Sequence, residues 1–292
     1  GVEHVKRDLP TIVSVAPGVI SALSLPSSYA NAIPFSQSVL FFMGKIDYQL
    51  NDRNRLSVRF NGHRNDSPYN NGGGLVVVSQ TYNFLDRSYS GAFQLISTIS
   101  PTLINELRVQ VPYRLQRQAP FSETGLGPSI TIPGVIQFGG SPNLNFLYKE
   151  VTPEATDDIR YSHGNHTYSV GFNVRGVLDR QAASPFATFT FPTVAAYLAA
   201  AAGTTPKGYT NFNQAYGQPS LTYNSKFYSA YAQDDWKLRP NVTLVYGVRY
   251  ELYQPPDGNK SVPYISSRSF NTDTNNVAPR LGIAIGLGKE QK

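Results

Sequence analysis

Hydrophobic and polar residues alternate along most of this chain with a period of two. In Tyr228–Glu251, two extended segments flank a tight Leu-Arg-Pro-Asn turn at 238–241. After the turn, Val242, Leu244, Tyr246, Val248 and Tyr250 alternate with Thr243, Val245, Gly247, Arg249 and Glu251. Aromatic and β-branched residues at that period predict a strand with unlike faces. Pro240 fits a turn and not a central ladder, so the unit is a β-hairpin.

The same unit recurs. Ile46, Tyr48 and Leu50 alternate with Lys45, Asp47 and Gln49. After a polar Asn51–Asn54 turn, Leu56, Val58 and Phe60 alternate with Arg55, Ser57, Arg59 and Asn61. A third strand is expected over about 82–99, turning at Ser100-Pro101-Thr102. In the fourth, Leu107 to Leu115 lie opposite Glu106, Arg108, Gln110, Arg114 and Gln116. A fifth, near 149–162, turns at His163–His166. The sixth sets Tyr168, Val170, Phe172 and Val174 opposite Ser169, Asn173 and Arg175. A ninth strand carries Leu281, Ile283, Ile285 and Leu287 after a loop over about 254–275.

Only 227–237 lacks a clean face. We place Tyr228, Ala230, Ala232, Asp234 and Trp236 outward, with Trp236 in an aromatic girdle by the short turn. A register change of one residue would reverse that choice.

The pattern predicts an all-β, antiparallel up-and-down meander of about nine long strands. Tight turns fall near 52, 101, 165 and 239, whereas the connections between hairpins are long. Long strands with short turns at one end and long loops at the other are the layout of a transmembrane β-barrel. Soluble sandwiches also alternate, but their strands usually run five or six residues. The division is an irregular lead-in over 1–37, with one short strand near Thr11–Val15, and a partial barrel over 38–292. Val194–Ala202 reads as a short helix in the longest connection.

Composition supports a sheet. Charged residues are 15%, and 19 Tyr and 16 Phe accompany 1 Trp and 1 Met. There are no cysteines, so disulfides and Cys-based metal sites are excluded. The net charge is +6 but the basic residues are dispersed, so a nucleic-acid partner is not expected. No apolar run approaches the roughly 18–20 residues of a membrane-spanning helix. No signal peptide is evident, and Gly1 reads as an internal start, so we expect a fragment.

Candidate chemistry is sparse, and no enzyme or cofactor is expected. His163 and His166 have H-x-x-H spacing, but in a polar turn rather than on a helix. Asp157-Asp158 and Asp234-Asp235 are neighbours in strands, so each pair points to opposite faces and is no acid–base dyad. Gly72-Gly73-Gly74 lacks the lysine and helix of a phosphate loop.

The polar faces collect the candidate lumen set: Lys45, Arg55, Arg59, Arg108, Arg114, Arg160, Arg175, Arg249 and Arg280, with Asp47, Glu106, Asp158 and Glu251. Such a face would line a water-filled path and attract anionic solutes. Mixed charges that pair across strands are the reading we favour. Candidate ligand-contacting loop aromatics are Tyr69, Tyr209, Phe212, Tyr216 and Tyr264.

Four stretches, in order, resemble TonB-dependent outer-membrane receptors, most closely the Oar-like branch with its carboxypeptidase-regulatory-like domain. They are GKIDYQLNDRNRLSVRFN (44–61), PSITIPGVIQFG (128–139), DDIRYSHGNHTYSVGFNVR (157–175), and YAQDDWKLRPNVTLVYGVRYE (231–251) followed by NNVAPRLGIA (275–284). The resemblance covers most of 38–288. It implies a barrel of 22 strands closed by a plug, in a bacterial outer membrane, drawing energy through TonB. The implied partners are outer-membrane lipid, the rest of the barrel and its plug, the TonB system through an N-terminal part absent here, and an unknown ligand. The alternatives are a structural or adhesive outer-membrane barrel without transport, or a secreted soluble glycan-binding β-protein.

Overall fold

The computed structural model describes residues 1–120, 127–141, 146–183, 186–215 and 220–287. Most of the strands form one antiparallel wall. They are β1 (Val2–Asp8), β2 (Ser36–Asn51), β3 (Asn54–Asn70), β4 (Tyr82–Ser100) and β5 (Leu103–Pro120). Past two short strands, β6 (Ser129–Ile132) and β7 (Ile136–Gly139), come β8 (Phe146–Val151), β9 (Glu154–His163) and β10 (His166–Ala182). After two more short strands, β11 (Phe186–Thr190) and β12 (Asn211–Ala215), come β13 (Ser220–Arg239), β14 (Val242–Gln254) and β15 (Val277–Ile285). Their spatial order is β1-β2-β3-β4-β5-β8-β10-β13-β14-β15, and β9 lies in line with β8 between β5 and β10.

The meander and its polarity match the sequence pattern. Short turns close one end. Asn51 Oδ1 accepts from the backbone N–H of Arg53 and Asn54, both at 3.0 Å, a side-chain mimic of a turn. Gly164 supplies the left-handed φ of +58° that the His163–His166 turn needs.

Two strands differ from expectation. The expected fifth strand is broken into β8 and β9 at Thr152-Pro153, because proline has no N–H for the ladder. The neighbours bridge the gap: Thr152 N–H donates to Pro112 O at 3.0 Å and Gly176 N–H to Pro153 O at 2.9 Å. The lead-in is also not irregular throughout. Residues 2–8 form β1, paired with Ser36–Phe42, so the wall has one stave more than the alternation predicts. Thr11–Val15 contributes only isolated bridges, Thr11 to Ile33 and Val13 to Gly74.

The long connections fold together. β6, β7, β11 and β12 make a separate four-stranded sheet in the order β12-β11-β6-β7, with β11 parallel to β6. Helices α1 (Pro17–Ala22) and α2 (Val194–Ala201) join it. The expected short helix is α2, whose Thr193 side chain caps it by accepting from Ala196 N–H at 3.1 Å. Tyr197 on α2 meets Phe138 and Phe191 edge-on, at 5.1 and 5.3 Å.

This cap holds the dry core. The buried apolar residues are Val13, Val15, Ile20, Leu23, Ile33, Val77, Ile130, Ile132, Ile136, Phe138 and Phe191, and none lies in the long staves. Gln80 is buried among them, donating to Ser129 Oγ at 2.9 Å and Phe138 O at 2.7 Å. The wall has no core of its own. Its apolar side chains, such as Ile46, Val170, Phe172 and Leu281, are 51–81% exposed. An apolar surface that broad needs a cover.

Candidate functional site

Residues directly opposite in an antiparallel ladder share a face, so the register sorts every side chain. One row runs Lys45–Arg59–Ala92–Gln110–Glu154–Arg175–Phe227–Tyr253. The next rows carry Gln94, Arg108, Thr156 and Asn173, then Glu106, Asp158, Gly171, Tyr231 and Arg249. By the same alternation Arg55, Asp47, Arg114, Arg160, Glu251 and Arg280 fall on this face. The whole candidate charged set therefore stands on one side of the wall.

The opposite side carries Ile46, Val58, Phe93, Val109, Val170, Phe172, Ala232 and Val248. The ambiguous 227–237 stretch takes the expected register: Trp236 pairs with His166 and Leu244 on the apolar face, beside the short turns. Asp234 goes with it, receiving bonds from His166 Nδ1 at 2.6 Å and from the Tyr246 hydroxyl at 2.7 Å. His166 also stacks on Trp236 at 5.2 Å and on Tyr168 at 5.6 Å. The imidazole of the H-x-x-H spacing is thus engaged by a carboxylate and two rings.

Within the charged face, many ions are paired. Lys45 and Arg55 lie 2.9 and 3.9 Å from Asp47. Arg108 lies 3.4 Å from Glu106 and 2.5 Å from Asp158, Arg114 3.2 Å from Asp86, and Arg249 2.5 Å from Glu251. These pairs are partly exposed, so each contributes roughly 0–1 kcal/mol. Arg59, Arg160, Arg175 and Arg280 form no ion pair among the described residues. Arg175 stacks on Phe227 at 4.3 Å, and Phe227 on Tyr253 at 4.5 Å. A trough of about 1250 Å³ opens here, lined by Glu154, Arg175, Phe227, Tyr231, Arg249 and Arg280 among others.

Tyr231 links three staves. Its hydroxyl crosses β10 to donate to Asp158 at 2.8 Å, and Asp158 also holds Arg108. The crossing needs Gly171, where an added Cβ would meet Tyr231 Cε1 at 2.2 Å and Asp158 Oδ1 at 2.3 Å. Gly171→Val is expected to displace the ring and cost about 1–3 kcal/mol in a urea folding titration. Tyr231→Phe, which deletes only the hydroxyl, is expected to cost about 1 kcal/mol. A neutral Gly171→Val would refute the close crossing.

The loop aromatics separate into different places. Tyr209 and Phe212 belong to an aromatic cluster in the cap, at 5.4 and 4.6 Å from Phe189. Tyr69 packs against the cap core with a left-handed φ of +57°. Tyr264 stands 75% exposed in the loop after β14. Tyr216 lies outside the described residues. The sequence reading missed Asp86, Tyr148, Glu150, Asp179 and Tyr223, which continue the charged face toward the cap. Carrying the alternation past Arg175 would have found Asp179.

The fold has solved counterparts. The chain superposes on the outer-membrane transporter YddB of Escherichia coli with a TM-score of 0.57 at 11% identity, over 97% of this chain and 33% of that one. It superposes on the copper transporter OprC with a TM-score of 0.51 at 10% identity, over 87% of this chain and 34% of that one. For Pseudomonas aeruginosa FpvA, described bound to pyoverdines, the values are 0.51 and 11%, over 98% of this chain and 36% of that one. The chain thus spans about a third of the length of each structure. No curated protein matches it in sequence. A family model described as outer membrane beta barrel domain matches residues 10–291. That match gives the exposed apolar face its cover, the lipid of a bacterial outer membrane. The chain belongs to the outer-membrane β-barrel domain family.

Proposed function

We propose that this chain forms part of the wall of a TonB-dependent outer-membrane transporter, of the Oar-like branch, and that its charged face lines the path of the solute. The observation that carries this reading is the segregation of faces. An apolar surface meets lipid on one side, so the charged set faces the interior, and Arg175 and Arg280 form no ion pair there among the described residues. The cap, built from the long connections, stands at the end where ligand capture is expected, with Phe212 as its exposed aromatic and Tyr264 exposed in the loop after β14. In the whole protein a plug and an energy-coupling segment complete the device.

The 292 residues contain no cysteine of their own, so a cysteine introduced among them is the one thiol in this part of the wall. In cells carrying the intact protein, single substitutions Arg249→Cys, Arg280→Cys and Val248→Cys would be treated with a bulky, water-soluble thiol reagent. The solute is the one whose uptake depends on the intact protein. Labelling at Arg249→Cys and Arg280→Cys is expected to lower that uptake at least tenfold, and Val248→Cys is expected to remain unlabelled. Labelling without effect on uptake would refute the solute path. The absence of any protein-dependent uptake would favour an adhesive barrel.

A further inference from the structure

Two carboxylates stand directly opposite each other where the wall rises toward the cap. Glu150 of β8 is the register partner of Asp179 of β10, on the charged face. Like charges so placed repel, and neither carboxylate forms an ion pair among the described residues. Arg114 is the register partner of Glu150 on the other side, but its guanidinium turns to Asp86, at 3.2 and 3.4 Å. Lys149 and Arg180 pair with each other on the opposite face.

The hydrogen bonds leave gaps. Tyr148 donates to Glu150 Oε2 at 2.6 Å. Tyr223 and Gln181 donate to Asp179 Oδ2 at 2.5 and 3.1 Å, and Gln181 also donates to the Tyr223 hydroxyl at 3.2 Å. Asp179 is 4% exposed, yet its Oδ1 has no partner among the described residues. A buried acceptor left unpaired is costly, more so when charged.

We propose that Glu150 and Asp179 bind an organic cation, the primary ammonium or guanidinium group of a solute passing beneath the cap. An ammonium has three N–H donors. Asp179 Oδ1 carries no hydrogen bond among the described residues, and Glu150 sets a second carboxylate directly opposite it, so the donors meet acceptors from both strands. A calcium ion takes six to eight oxygens, and no group of acidic and His side chains among the described residues is built to hold a metal. This goes beyond the proposed passage of solute: binding needs only that this face be wetted, and it is measured without transport.

The test is calorimetric titration of the full chain, folded in detergent micelles, with butylammonium and butylguanidinium, and with butyrate and calcium chloride as comparisons. Saturable binding of the organic cations alone is expected. The affinity should fall at least tenfold in Glu150→Gln and in Asp179→Asn and stay unchanged in Asp273→Asn, a loop control. Folding of each variant is checked by its β-sheet circular dichroism. Should either variant fail to fold, the wild-type chain serves alone: butylammonium, and not butyrate, should protect Glu150 from carbodiimide coupling. A folded chain with no saturable cation binding, calcium binding in its place, binding unchanged in both variants, or no protection of Glu150 would each overturn the proposal.

Discussion

Replacing Ile132 by alanine is expected to unfold the cap while leaving the wall paired. Ile132 is fully buried and faces Ile136 across the β6–β7 ladder. Removing its branched side chain costs about 2–5 kcal/mol, because a packed site collapses only in part. A unit whose core is a few side chains from separate connections has little stability to spare, so a loss of that size is enough to open it. The staves draw little from this core: Tyr69 at the end of β3 packs against it, and none of the core's buried residues lies in a stave. Hydrogen exchange is therefore expected to accelerate over 127–141 and 186–191 and to stay slow over 166–176 and 242–250. Ile132→Val, at about 0.5–1.5 kcal/mol, should leave both regions protected. Equal acceleration of cap and wall would show one cooperative unit, and no acceleration would show that Ile132 is not a core residue.

That division also explains what the sequence disclosed. The staves are legible because their information is local. Alternation over ten or more residues assigns faces, and Asn51, Gly164 and Pro240 mark the turns, so the placement of Ile46, Leu107, Val170 and Val248 on one face follows from parity alone. The cap is illegible because its core is assembled from connections far apart in the chain. Val13, Val77, Ile132 and Phe191 each sit in a short segment without a long period, and only tertiary contact gives them a common side. Ile130, Ile132, Ile136 and Phe138 do alternate, but in two four-residue runs around Gly134, which reads as a loop. β1 was hidden differently: in Val2–Asp8 neither face is apolar, and its pairing rests on the backbone ladder with β2. Of the residues missed on the charged face, Asp179 and Tyr223 lie where β10 and β13 extend further than their apolar pattern, Tyr148 and Glu150 lie before the break at Pro153, and Asp86 lies in a strand whose faces the sequence reading did not assign.

Val248→Arg should be the most damaging exchange on the wall, and Arg249→Leu beside it one of the mildest. The two residues are neighbours on β14 and point to opposite faces. With a rise of about 3.4 Å per residue and a tilt of about 40°, Val248 lies some 18 Å from the turn at Pro240-Asn241. That is well inside an apolar band about 25 Å tall. A guanidinium at that depth costs about 2–4 kcal/mol, since lipid offers it neither water nor counterion. Arg249→Leu removes an exposed pair with Glu251, worth about 0–1 kcal/mol, and leaves Glu251 in contact with water. Urea titrations of folding into phospholipid vesicles, on the intact protein, measure both. If Arg249→Leu were the costlier change and Val248→Arg the silent one, the charged face would be the lipid face, and the solute path would have to be sought on the other side. The asymmetry between two adjacent residues is a sharper criterion than either cost alone, because tilt, vesicle composition and folding conditions affect both variants alike and only the direction of the side chain separates them.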